Sequence, residues 1–159
     1  MKKLFCLMIF AFVFQCSIVS AVGDIIVMPK DDKETVPDDE FIFVKNASQF
    51  ALNSTDDYAD IINNNLALVA TGRVKDYKKY LDRMSRIVDS VKDNDAKYCA
   101  WFAESILTER LATLEAYIKF AECYSAGDRK GCENYNTQIK YRSDKAFKLR
   151  KEFADIYDI

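Results

Sequence analysis

The chain predicts an all-α fold: an up-and-down antiparallel four-helix bundle preceded by a short extended or flexible N-terminal segment. Three observations carry this expectation. From Ala47 onward, apolar residues recur at helical spacing with few interruptions. The second and fourth helical segments keep a seven-residue repeat, the pattern of rods that pack side by side. Short turn sequences at Gly72, at Asp93-Asn94-Asp95 and around Gly127 separate the segments, and short turns favour antiparallel neighbours.

The chain opens with Lys2 and Lys3, continues with an apolar run from Leu4 to Val19, and offers the small residues of Val19-Ser20-Ala21 before polar sequence begins at Asp24. This is the layout of a secretory signal peptide. The run is shorter than the roughly 20 residues that a membrane-spanning helix needs. Gln15, not a small residue, precedes Cys16, which argues against a lipid anchor. Residues 1–21 are therefore expected to be removed. The mature chain is expected to act outside the cytoplasm, secreted or periplasmic, with no stable membrane span.

Residues 22–45 differ in character from the rest. Residues 22–29 suit a short extended segment. Residues 30–40 are acidic and contain Pro37, as a flexible connector would. The acidic cluster of Asp31, Asp32, Glu34, Asp38, Asp39 and Glu40 lacks the alternating ligands and central glycine of a calcium loop, so it reads as a solvated linker. Phe41-Ile42-Phe43-Val44 is expected to dock on the bundle as a strand or an extended arm.

The bundle itself is assigned to residues 46–159. Its first helix is expected to start near Ser54 or Thr55, with Asp56 and Asp57 favouring the positive end of the helix dipole, and to stop at Gly72. The second carries Val74, Tyr77, Leu81, Met84, Val88 and Val91 on one stripe, and Asp95 is its successor's expected N-cap. The third runs from about Ala96 to Tyr124 with an apolar arc near half its circumference, so it should be central and touched by several neighbours. Gly127 ends it and Asp128 caps the fourth. Gly131 weakens the first turn of the fourth helix, which is expected to begin nearer Cys132.

Composition excludes several functions. The chain has no histidine, which removes Ser-His-Asp and Cys-His nucleophile systems, the Glu-x-x-His di-iron motif and covalent haem attachment. No cofactor, no metal and no enzymatic activity are expected. Loss of Lys2 and Lys3 takes the 23 basic residues to 21 against 25 acidic ones, a mild acidity that does not suit nucleic-acid binding. Of five cysteines, Cys99, Cys123 and Cys132 survive leader removal. Cys123 and Cys132 flank the Gly127 turn and are expected to form a disulfide. Cys99 lies about 36 Å from Cys123 along one helix, so it is expected to be a buried free thiol or an intermolecular bridge.

Candidate sites follow from aligning the helices across their turns. Folding about Gly127 sets Arg110 opposite position 145 and Arg142 opposite position 113, and folding about Gly72 brings Asn65 to the same height. Arg110, Arg142 and Asn65 are expected to share one mid-bundle layer. Inward-facing arginines need anionic or carbonyl partners, supplied by a small anionic ligand, by surface acids, or by a polar layer that fixes helix register. Trp101, the only tryptophan, falls on the charged side of its helix with Glu104, Glu115, Lys119 and Glu122, and is expected either to meet a partner or to be covered by the Phe41–Val44 arm. The basic run between Lys140 and Lys151 reads as a solvated face. Asn46-Ala47-Ser48 and Asn53-Ser54-Thr55 satisfy the N-glycosylation rule. The leading functional expectation is an exported soluble helical module that binds another macromolecule, a protein or a cell-surface partner. The alternative is a carrier enclosing a small anionic or amphipathic ligand.

Overall fold

The computed structural model describes residues 39–158. The expected leader at 1–21 with its two cysteines, the extended segment expected at 22–29 and the acidic connector before Asp39 lie outside the described residues. Within them the fold is all-α: four packed rods form a bundle, and the first rod is broken in two.

α1 spans Glu40–Asn53. Asp39 caps it, its carboxylate accepting from the Ile42 N–H at 3.1 Å, which satisfies one of the four free donors of a helix start. Val44, Ala47, Ser48, Ala51 and Leu52 recur at three- and four-residue steps and are buried. Phe41–Val44 is therefore the first turn of a helix and not an extended arm, and the boundary expected after residue 45 falls inside α1. Its apolar spacing continues into Ala47 and Leu52, so one helix buries all of it.

The chain then turns through Ser54–Asp57 into α2, Tyr58–Asn63, and reverses at Asn65. Asn65 takes φ 56°, a left-handed conformation that asparagine tolerates better than most residues. α3 follows over Ala67–Ser90. Gly72, expected to end a helix, sits inside α3. The reversal needs a left-handed residue, and Asn65 supplies it seven positions earlier. α4 spans Asn94–Ala126. Asp93, not Asp95, is its N-cap and accepts from the Ala96 N–H at 2.8 Å. Glu40 reaches this junction from α1, its carboxylate accepting from the N–H groups of Lys92 at 3.0 Å and Asp93 at 2.7 Å.

Gly127 ends α4 at φ 73°, with the Gly127 N–H bonded to Tyr124 O and the Asp128 N–H to Cys123 O. This closes the helix in a Schellman motif. α5 spans Arg129–Tyr157 and begins three residues earlier than expected. Asp128 accepts from the Gly131 N–H at 2.9 Å, so the glycine is part of the cap and not a gap before the helix.

α1 and α2 run alongside α4 in its own direction: Glu40 meets its start, Ser48 faces Cys99 and Leu52 faces Arg110. α3 and α5 also pack on α4 but barely touch each other. α4 is therefore the central rod, as its wide apolar arc predicts. One side of it stays uncovered along the line Trp101, Thr108, Glu115 and Lys119, all exposed. Two apolar clusters form the core. One gathers α1, the end of α3, the first half of α4 and the end of α5 around Val44, Leu52, Met84, Ile106, Leu107 and Phe153. The other gathers α2, the first half of α3, the middle of α4 and the first part of α5 around Tyr58, Tyr77, Leu111, Leu114 and Ala146. Buried polar residues Thr55, Glu109, Arg110 and Thr113 lie between them.

Cys99 is fully buried and is a free thiol, its Sγ 3.9 Å from Ser48 Oγ; burial pushes it above the usual thiol range. Cys123 and Cys132 are also free thiols, so the expected bridge is not formed. The Cys123 sulfur lies beside Gly131, and partial burial followed by the Asp128 carboxylate raises its pKa.

Candidate functional site

The mid-bundle polar layer has two halves on opposite flanks of α4. On the first flank, the end of α1 and the Ser54–Asp57 turn present carbonyl, hydroxyl and carboxylate acceptors, and three side chains bond to them. Arg110, only 2 % exposed, donates through Nη1 to Leu52 O and to Thr55 Oγ1 at 2.7 Å, and through Nη2 to the Asp56 carboxylate. Its guanidinium carbon lies 5.3 Å from the centre of the Tyr58 ring. Arg73 donates to Ser54 O at 2.7 Å, to Asp57 at 2.9 Å and to Asp76 at 2.8 Å. The Tyr77 hydroxyl lies 2.6 Å from Thr55 O and 2.7 Å from Asp57 Oδ1, and its single proton serves one of them. Burial first, then the hydrogen bond and charge of Asp57, raise the Tyr77 phenol far above its usual range. Arg110 thus finds the carbonyl and anionic partners that burial of a guanidinium demands, and finds them inside the chain.

On the second flank, Glu109 is 10 % exposed and accepts from Arg142 Nη1 at 3.1 Å and from Lys145 Nζ at 2.6 Å, both on α5. Arg142 and Lys145 are 37 % and 47 % exposed, and Glu109 raises the Lys145 ammonium above its ordinary value by hydrogen bond and charge. Arg110 and Arg142 do share the layer's height but serve different flanks. Asn65 does not join them: it is the exposed reversal residue between α2 and α3, because the chain turns there and not at Gly72. Asp56 and Thr55, the partners of Arg110, and Asp57, the partner of Arg73 and Tyr77, stand together in the sequence, but the expected helix start places them elsewhere.

A groove of about 480 Å³ opens beside the second flank, between α3, α4 and α5. Val74, Ala112, Ala116 and Ile118 give it an apolar floor and wall, while Arg142, Lys119, Gln138 and Tyr135 supply polar groups.

Trp101 is 51 % exposed and lies against Tyr98, also 51 % exposed, with ring centres 5.8 Å apart. Tyr98 in turn meets Phe102, which packs edge-on against Phe153 at 5.6 Å. The Phe41–Val44 segment does not cover Trp101. It is helical, and Phe41 meets Tyr157 instead. Both glycosylation candidates, Asn46 and Asn53, lie exposed on α1, and Asn53 Oδ1 accepts from Arg150 at 3.4 Å. Thr55, the third residue of the second triplet, is fully buried. Among the described residues no group of three or more Cys, Asp or Glu is placed to hold a metal ion, and no helix is long and apolar enough to cross a membrane. Comparison with protein-family models, with curated proteins and with solved structures finds no match.

Proposed function

We propose that this chain is an exported, non-enzymatic helical module that binds a protein or cell-surface partner through the Tyr98–Trp101 face of α4. The observation that carries the reading is the pairing of two half-exposed aromatic rings on a rigid, very well packed helix. Trp and Tyr dominate the energetics of interfaces because each covers a large area while ordering few rotatable bonds. Here the ring pair is backed by the buried Phe102–Phe153 contact, so it is already held in place before a partner arrives. Export is supported by the leader-like first 21 residues, and the absence of histidine supports a role other than catalysis.

The test has two parts. N-terminal sequencing of the protein collected outside its source cells should begin at Val22. A photo-reactive phenylalanine at position 101 should give a discrete adduct at the cell surface or with a secreted protein. Unlabelled wild-type chain should compete that adduct away, and Trp101→Ala of unchanged helicity should not. Equal competition by W101A sinks the proposal.

A further inference from the structure

The groove between α3, α4 and α5 lies apart from the Tyr98–Trp101 pair and has its own chemistry. We propose that it is a binding site for a small amphipathic anion: a single-tailed carboxylate whose head meets Arg142 and whose tail lies along Val74, Ala112 and Ala116. Its volume of about 480 Å³ falls within the ~300–1,000 Å³ typical of small-molecule sites. Its wall chemistry matches too, with apolar side chains along its length and a few polar groups placed to fix orientation.

Charge decides the sign of the ligand. Glu115 at the groove is matched by Lys78 at 3.0 Å, and Lys119 by Glu122 at 2.8 Å, so neither leaves a free charge. Glu109 is one carboxylate serving two cations, Arg142 and Lys145. That end of the groove therefore carries one positive charge in excess. Arg142 bonds to Glu109 through Nη1 alone among the described residues, which leaves the Nη2 and Nε donors for a carboxylate. A monoanion balances the group, a neutral molecule leaves the excess in place, and a cation adds to it. Arg110 takes no part: it is buried, and both its Nη groups bond to residues on the other flank.

The site is tested by isothermal titration calorimetry of the full mature chain with decanoate below its micellar concentration, beside decanol and decyltrimethylammonium. Decanoate is expected to bind at one molecule per chain, decanol at least tenfold more weakly, and the cation not at all. Arg142→Gln should weaken decanoate at least tenfold while Lys145 still holds Glu109. Ala112→Phe, which fills the groove, should abolish binding, and Thr71→Phe on the facing wall should do the same if the first variant loses helicity. Lys151→Gln, remote from the groove on an exposed turn of α5, should bind as the wild type does. Absence of decanoate binding, equal binding of decanol, or undiminished binding by folded groove-filling variants overturns the proposal.

Discussion

Glu109 and Arg110 are consecutive residues of α4, both buried, and they anchor opposite neighbours. Glu109 holds Arg142 and Lys145 of α5, while Arg110 holds the Ser54–Asp57 turn and the end of α1. Adjacent helical positions point about 100° apart, so one step along the central rod ties two different neighbours to it. The pair fixes the height at which both dock.

The two residues should differ in what they contribute. Arg110→Met removes a guanidinium that is 2 % exposed, and with it the charged hydrogen bonds to Leu52 O, Thr55 Oγ1 and Asp56, although Leu52 O keeps the Thr55 N–H at 3.1 Å. Hydrogen bonds that involve a charged group contribute about 1.5–3 kcal/mol each, so the loss should reach about 3 kcal/mol. Glu109→Gln leaves two cations that are 37 % and 47 % exposed and can turn to water. Its loss should stay near 1 kcal/mol. Urea unfolding of the two variants against wild type measures the order, and a larger loss for E109Q would contradict this account.

Tyr77 makes stability depend on alkaline pH. Its folded pKa is raised above the value of about 10 for a free phenol, first by burial and then by Asp57. A raised folded pKa means that the stabilisation is complete below pH ~10 and is lost as pH climbs toward the folded value. At neutral pH, Tyr77→Phe should lose about 1–2 kcal/mol, because Thr55 O and Asp57 share a donor that is gone. Between pH 8 and pH 11 the gap between wild type and Y77F should narrow by about 1.4 kcal/mol. Urea midpoints at the two pH values, read by circular dichroism, check the sign; a gap that widens with pH refutes it.

Two helical glycines should respond in opposite directions to alanine. A Cβ on Gly72 meets nothing within 4 Å, and the residue sits inside α3 without positive φ. Gly72→Ala should raise stability by about 0.8–1 kcal/mol through helix propensity alone. A Cβ on Gly131 would stand 2.7 Å from Cys123 Sγ and 2.9 Å from Asp128 Cγ. Gly131→Ala must displace the capping carboxylate, whose loss costs about 1 kcal/mol, and crowd the thiol as well. A net fall in melting temperature is expected for G131A and a rise for G72A.

The pairing of α4 with α5 was legible because the Gly127 turn carries an unambiguous signal. Folding the sequence there predicts Arg110 opposite position 145, and the neighbouring Glu109 indeed meets Lys145, with Phe102 opposite Phe153. The central place of α4 was legible for the same reason, since a wide apolar arc must be covered from several sides. The first rod was not. Gly72 resembles a helix terminator by composition, but termination is a matter of φ, and Asn65 met that need without announcing it. That displacement moved Asn65 out of the polar layer. It also hid the Ser54–Asp57 turn, so the internal partners of Arg110 could not be found by aligning heptads. Phe41–Val44 was split from its helix because acidic sequence and Pro37 precede it, although its apolar spacing runs unbroken to Leu52.

The broken first rod has a consequence for the order of assembly. The carbonyl of Leu52 is bonded by a residue 58 positions later, and the hydroxyl of Thr55 by the same residue 55 positions later. When this chain emerges from a ribosome, the end of α1 must wait for more than half of the remaining polypeptide before its Arg110 donor exists. Such distant closure is entropically slow to reach. The bonds between the end of α1 and the central rod therefore close only once the middle of α4 has been made.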